Sequence, residues 1–187
     1  MLKIEDNPPA IYPEVSDFTN IYGNWWVART MSRNEKILAQ MLCRREIPYF
    51  LPLLEKVSKR RGRRTKSLLP LFSGYLFFCG DQETRLQVLT TNRVAQVIEV
   101  IDQDKLIGDL SQIHRALNTG LPIDPHPGLT PGKRCRVVTG LLEGAEGVLL
   151  RRNNISRILL QVEILGQAAA VEIDADFLEI IDDEDIS

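Results

Sequence analysis

Lys56-Val57-Ser58-Lys59-Arg60-Arg61-Gly62-Arg63-Arg64-Thr65-Lys66 carries seven basic side chains and no acid, and it is followed closely by Leu71-Phe72-Ser73-Gly74-Tyr75-Leu76-Phe77-Phe78. The second stretch is aromatic and apolar and reads as part of a strand over Leu69–Cys79. The first reads as the hairpin joining that strand to another over Tyr49–Val57, which Pro52 interrupts as an edge or a bulge would. Formal net charge over all 187 residues is −2, so the remainder of the chain is acidic and the positive charge sits on one short segment. A cationic patch so confined suits a polyanion, with nucleic acid as the first candidate.

Outward from this pair, Asn24–Thr30 (NWWVART) reads as a strand. Ser32 with Glu35 has the spacing of a capping box, and Ile37, Leu38, Met41 and Leu42 follow at helical spacing. Pro48 is expected to end that helix. Gln82–Thr90 suits a short helix and Val94–Ile101 a strand. Asp104 is a candidate N-cap for a helix carrying Leu106, Ile107, Leu110, Ile113 and Leu117, with Gly120 as its stop. The order strand, helix, strand, strand, helix, strand is that of a split βαβ, ferredoxin-like domain, with the last helix added.

Residues 119–131 (TGLPIDPHPGLTP) have the composition of a semi-rigid linker. Beyond them the pattern changes to short strands at 134–139, 147–151, 158–165, 168–173 and 177–181, with glycines for the turns. A segment so short buries a core by curling into a small barrel. The chain therefore reads as α+β in two domains, 24–118 and 129–181. They are joined by a linker at 119–128, preceded by a flexible extension at 1–23 and followed by an acidic tail at 182–187.

Several classes are disfavoured. Three widely spaced cysteines and two histidines make neither a zinc site nor a disulfide framework, and they fit reduced thiols in a cytoplasmic protein. No apolar run reaches the ~18 residues that span a bilayer, and the start of the chain lacks the pattern of a signal peptide. Gly144 and Gly147 lack the Lys-Ser/Thr helix of a phosphate loop. No nucleophile, base and acid stand together in the pattern, so the chain is expected to be neither an enzyme nor a carrier of a cofactor or metal.

Trp25-Trp26-Val27, Pro70-Leu71-Phe72-Ser73-Gly74-Tyr75-Leu76-Phe77 and Asn92-Arg93-Val94 resemble the N-terminal domain of the NusG and RfaH transcription elongation factors. Pro131-Gly132-Lys133-Arg134-Cys135-Arg136-Val137-Val138, then Gly140 through Gly147-Val148-Leu149, Val162–Gly166 and Val171–Ile173, resemble a KOW domain. The resemblance spans residues 24–181, and the basic hairpin running into PLF is closer to the specialised RfaH-like branch than to housekeeping NusG. It implies a ferredoxin-like domain followed by a five-stranded SH3-like KOW β-barrel in a monomeric antitermination factor. The first domain of such a factor docks on the clamp helices of the largest subunit of RNA polymerase and suppresses pausing or termination. RfaH holds its KOW segment as a helical hairpin until activated; the Val, Ile and glycine content here predicts β structure.

The same resemblance places Trp25, Arg29, Phe72, Tyr75 and Phe77 at the clamp-helix pocket. Strand alternation puts Tyr75 and Phe77 on one face and Leu76 and Phe78 on the other, and one of these faces has to be core. Lys56, Lys59, Arg60, Arg61, Arg63, Arg64 and Lys66 would reach non-template DNA or nascent RNA, with Arg33 and Asn34 in the turn after the first strand. A solvated tip is the plainer reading of such a charge run. In the second domain Leu141-Leu142-Glu143-Gly144-Ala145 lacks the paired aromatics of the housekeeping pattern, which speaks against Rho. Leu142 and Leu165 are left either as contacts for a partner such as a ribosomal protein or as barrel core. The alternative function is a KOW-containing RNA-binding protein of ribosome assembly or translation.

Overall fold

A computed structural model describes residues 6–60, 63–152 and 155–181, without the side chains of Lys59, Arg60, Arg63 and Arg152. Residues 1–5 of the expected extension, Arg61 of the basic run and the tail at 182–187 lie outside the described residues. The chain is mixed α and β and divides into two compact units, residues 1–107 and 108–187. The division falls inside a helix rather than at the proline-rich stretch.

The first unit begins with β1 (Ile11–Tyr12), a 3-10 turn (Phe18–Asn20) and β2 (Asn24–Thr30). Helix α1 (Glu35–Arg44), β3 (Tyr49–Phe50), β4 (Leu53–Arg60) and β5 (Arg63–Pro70) follow. Then come β6 (Tyr75–Gly80), α2 (Gln82–Leu89), β7 (Val94–Glu99) and the start of α3 (Gln103–Asn118). The main sheet has the order β1-β3-β6-β2-β7, with every pairing antiparallel. Strand β2 lies inside the sheet, and four of its consecutive side chains, Trp25 to Ala28, are buried. That explains why it reads as a continuous apolar run rather than an alternation. On one face, Leu38, Ala39 and Leu42 of α1 and Val88 of α2 pack with Trp26, Ala28, Tyr49, Leu76 and Phe78. The spacing of Leu38 and Leu42 is what turns that stripe of α1 inward.

Several local expectations resolve differently. The Ser32 capping box does not form. Asn34 stands at the N-cap without a side-chain bond, and Glu35 Oε1 instead accepts from the Gly74 amide at 2.6 Å. Helix α1 ends before Pro48 comes into play. Glu46 takes φ 57° and the Ile47 amide closes back on Leu42 O at 3.0 Å, a left-handed helix stop. The long strand expected over Leu69–Cys79 is two, separated by a turn at Leu71–Gly74 in which Gly74 has φ 86°. Asp102 rather than Asp104 bonds the first turn of α3, with Oδ1 accepting from Lys105 N at 2.9 Å.

The stretch expected to be a flexible extension carries part of the fold. Strand β1 pairs with β3 (Ile11 with Phe50, Tyr12 with Tyr49), and Phe18 is fully buried. Three prolines hide this in the sequence, because the strand is only two residues long and its apolar anchor is isolated.

The second unit contains β8 (Ile123–Pro127), β9 (Arg134–Val137), β10 (Glu146–Arg152), β11 (Ile155–Val162), β12 (Gln167–Glu172) and β13 (Leu178–Ile180). They form one antiparallel sheet in the order β13-β9-β10-β11-β12-β8. Six strands take part where five were expected, because the supposed linker supplies β8. Its prolines are tolerated because β8 ends the order and is paired through β12 alone. Val148, Leu159, Ala168 and Ala170 form a core cluster here. A Cβ on Gly147 would come 2.4 Å from Leu159 O, so β10 can lie this close to β11 only with glycine there.

Candidate functional site

Strand register brings Trp25, Arg29, Tyr75 and Phe77 of the five expected docking residues to one region of the first unit, and a ring contact adds Phe72. Arg29 lies directly opposite Tyr75, and Val27 opposite Phe77, across the β2–β6 pair. Facing residues point to the same side of a sheet, so Trp25, Val27, Arg29, Tyr75 and Phe77 share a face. That face is not an open pocket. Trp25 and Phe77 have 0% exposure and Phe72 has 1%. They belong to a ring system in which Phe50 stacks on Phe77 at 6.4 Å and Phe72 meets Phe77 edge-on at 6.4 Å. Phe18 completes it, 5.4 Å from Trp25 and 5.0 Å from Phe50. Arg29 is exposed and Tyr75 half-buried, so these two form the accessible rim of a closed aromatic face.

Trp25 is fixed through its backbone. Its amide donates to Gln103 Oε1 at 2.7 Å, and Gln103 Nε2 donates back to Trp25 O at 3.0 Å. Its indole Nε1–H is buried and finds no acceptor among the described residues. A buried donor left unpaired costs about 1–3 kcal/mol.

The basic run forms the arms of a two-stranded sheet, β4 with β5, separate from the main sheet. Its register pairs Val57 with Lys66, Ser58 with Thr65 and Lys59 with Arg64. The Ser58 and Thr65 hydroxyls bond at 2.9 Å across it. Lys56, Arg64 and Lys66 are exposed, while Lys66 is met by Glu55 at 2.7 Å and so contributes less free charge than the sequence suggests. An isolated hairpin is marginal in water. This one is tied at its base, where Leu71 N donates to Pro52 O at 2.8 Å and Lys36 Nζ reaches Leu68 O.

In the turn after β2, Arg33 is exposed with φ 60° and Asn34 Oδ1 accepts from Arg93 at 3.2 Å. The Met31 amide bonds Arg93 O at 2.9 Å. Arg33, Asn34 and Arg93 therefore form one polar cluster at the end of the sheet. Arg93 is the member that the reading of sites in the sequence omits, although it stands next to β7, the strand paired with β2.

In the second unit Leu142 is core, with 1% exposure, whereas its neighbour Leu141 is 69% exposed. Leu165 is half-buried in a 3-10 turn at Glu163–Leu165. Leu141 borders an open groove of about 590 Å³ together with Ile155, Glu172, Asp174 and Phe177. Beside this groove the turn is held from α3, where Arg115 donates to Glu143 O at 2.6 Å and Gln112 Oε1 accepts from Glu146 N at 2.7 Å.

Burial pushes the Cys79 and Cys135 thiols up to about 11, which keeps both protonated and unreactive near neutrality. Burial lowers the His114 pKa. Among the described residues no three His, Cys, Asp or Glu side chains gather as a metal site, and no helix is long and apolar enough to cross a membrane.

Residues 23–112 match a family model described as NusG, transcription termination factor. No curated protein matches the chain. A crystal structure of the MjSpt4:Spt5 complex is similar at 12% identity over 84% of this chain and 96% of that one, with a TM-score of 0.27.

Proposed function

We propose that this chain, a NusG-like transcription factor by its residues 23–112, acts on elongating RNA polymerase as a specialised antitermination factor. Its first unit docks on the polymerase clamp helices, with Arg29 and Tyr75 as the accessible contacts. The basic hairpin then touches non-template DNA or nascent RNA close by. Docking raises the local concentration of nucleic acid around the hairpin, so a few phosphate contacts are enough. Arg33, Asn34 and Arg93 add polar contacts to the nucleic acid. The second unit, read as a KOW-type barrel, recruits a further protein such as a ribosomal protein through Leu141 and the groove beside it. The order β3-β6-β2-β7 supports the split βαβ reading of the first unit.

The observation that carries this proposal is the coincidence of the matched family segment with a sheet face whose rim, Arg29 and Tyr75, stays accessible. Transcription by purified bacterial RNA polymerase across a pause and a terminator tests it. Added protein is expected to shorten the pause and raise read-through. Unchanged pausing and read-through at saturating protein would contradict it. Co-sedimentation with ribosomes in the absence of polymerase would point instead to a translation protein.

A further inference from the structure

One ring of the aromatic face, Phe18, comes from outside the NusG-type stretch, which begins at residue 23. The segment bearing it is tied to the domain along its first half. Gln40 Nε2 donates to Asp6 O at 3.0 Å, Tyr49 Oη to Pro9 O at 2.9 Å and Leu51 N to Ala10 O at 2.7 Å. After β1 it crosses to the aromatic face. Residues 13, 14, 16, 17, 19 and 20 are exposed, but Phe18 between them has 0% exposure and sits against Trp25 and Phe50. Asp17 Oδ1 holds the short turn by accepting from Thr19 N at 2.9 Å. Phe18 is thus inserted into the face from a 3-10 turn whose neighbours, apart from half-buried Val15 and buried Ile21, are exposed.

From this we infer that Phe18 is a self-supplied occupant of the docking face: it fills the seat that an apolar side chain of the polymerase clamp takes, and docking displaces it. The inference rests on the docking reading given above. The Trp25 Nε1–H, buried and without an acceptor among the described residues, is the second observation pointing the same way. The Phe18 side chain has no oxygen or nitrogen to accept a full-strength hydrogen bond from it. An incoming segment that offers an oxygen beside its apolar anchor gains a bond that the resident side chain cannot make. Because the occupant is tethered, it competes at high effective concentration and lowers the apparent affinity by the fraction of molecules in which the face is open.

The test compares the affinity of full-length wild-type protein and Phe18→Ala for purified bacterial RNA polymerase, with thermal unfolding of each as a check on folding. Phe18→Ala is expected to bind about tenfold more tightly, since it removes the competitor and leaves the rim intact. A folded Phe18→Ala that binds equally or more weakly overturns the inference. Should Phe18→Ala fail to fold, Asp17→Ala decides the matter. It loosens the turn without emptying the core, and tighter binding is again expected, with no gain counting against the inference. Amide exchange gives an independent readout: residues 18–21 lose protection in the polymerase complex, and undiminished protection in a saturated complex overturns displacement. If neither wild type nor variant binds polymerase, the docking reading fails and takes this inference with it. If wild type binds and no variant gains, only the inference fails.

Discussion

The aromatic face and the basic hairpin lie next to each other in sequence but differ in how they are built. Phe72 and Phe77 are locked into a ring system with Trp25, Phe50 and Phe18, three of them on strands of a five-stranded sheet and Phe18 and Phe72 on turns beside it. The hairpin is a two-stranded ladder whose described basic side chains, Lys56, Arg64 and Lys66, are exposed. Residues of one region act through packing and those of the other through charge. Substitutions in the first region should therefore be read mainly in stability, and those in the second mainly in binding and its salt dependence.

The largest expected effect breaks the comparison on the aromatic side. Phe77→Ala removes a fully buried ring and should cost about 3–5 kcal/mol in denaturant unfolding. A loss under about 1 kcal/mol would mean that the face is more open than its packing implies. A matched pair in the second unit applies the same logic. Leu142→Ala should cost about 2–5 kcal/mol, whereas the exposed Leu141→Ala should stay within about 0.5 kcal/mol. Equal costs would remove the distinction between core and partner contact there.

On the charged side, neutralising Lys56, Arg64 and Lys66 together should leave the unfolding midpoint nearly unchanged and flatten the salt dependence of nucleic-acid binding. Each lost phosphate contact lowers the log–log slope by about 0.7 to 0.9. Lys66 is expected to count least, because Glu55 already meets it. An unchanged slope would assign the run to solvation alone. The last effect concerns the thiols and appears only at alkaline pH. Cys79 and Cys135 are raised from 9.0 to about 11 by burial, so the folded state holds protons that the unfolded state releases first. Their contribution is fully present below about pH 9 and is lost as pH rises from there toward about 11. Unfolding measured from pH 8 to 11 should show this decline, and Cys79→Ala with Cys135→Ala should reduce it.

Much of this architecture was legible from residues alone. The NWWVART strand, the break at Pro52 and the hairpin arms follow from β-branched content, proline chemistry and charge. Period-two alternation placed Tyr75 and Phe77 on a shared face, but it could not say what covers that face. Part of the answer is Phe18, which meets Trp25 and Phe50 from a proline-bearing stretch without periodicity. Similarly, Leu141 and Leu142 are indistinguishable by composition, and only the turn sets which one points inward. Glu35 matched a capping box, yet its carboxylate went to the Gly74 amide, a tertiary partner invisible at short range. The proline-rich 119–128 read as a linker because an edge strand tolerates the residues that a linker favours.

The most direct test of the account is the affinity of the full-length protein for purified bacterial RNA polymerase, measured with and without Arg29→Ala plus Tyr75→Ala. These rim side chains contribute little to the core, so the double variant should fold as the wild type does and yet bind at least about thirtyfold more weakly, as loss of a hot spot of roughly 2 kcal/mol implies. A folded double variant that binds polymerase as tightly as the wild type would contradict the placement of the docking surface on this face.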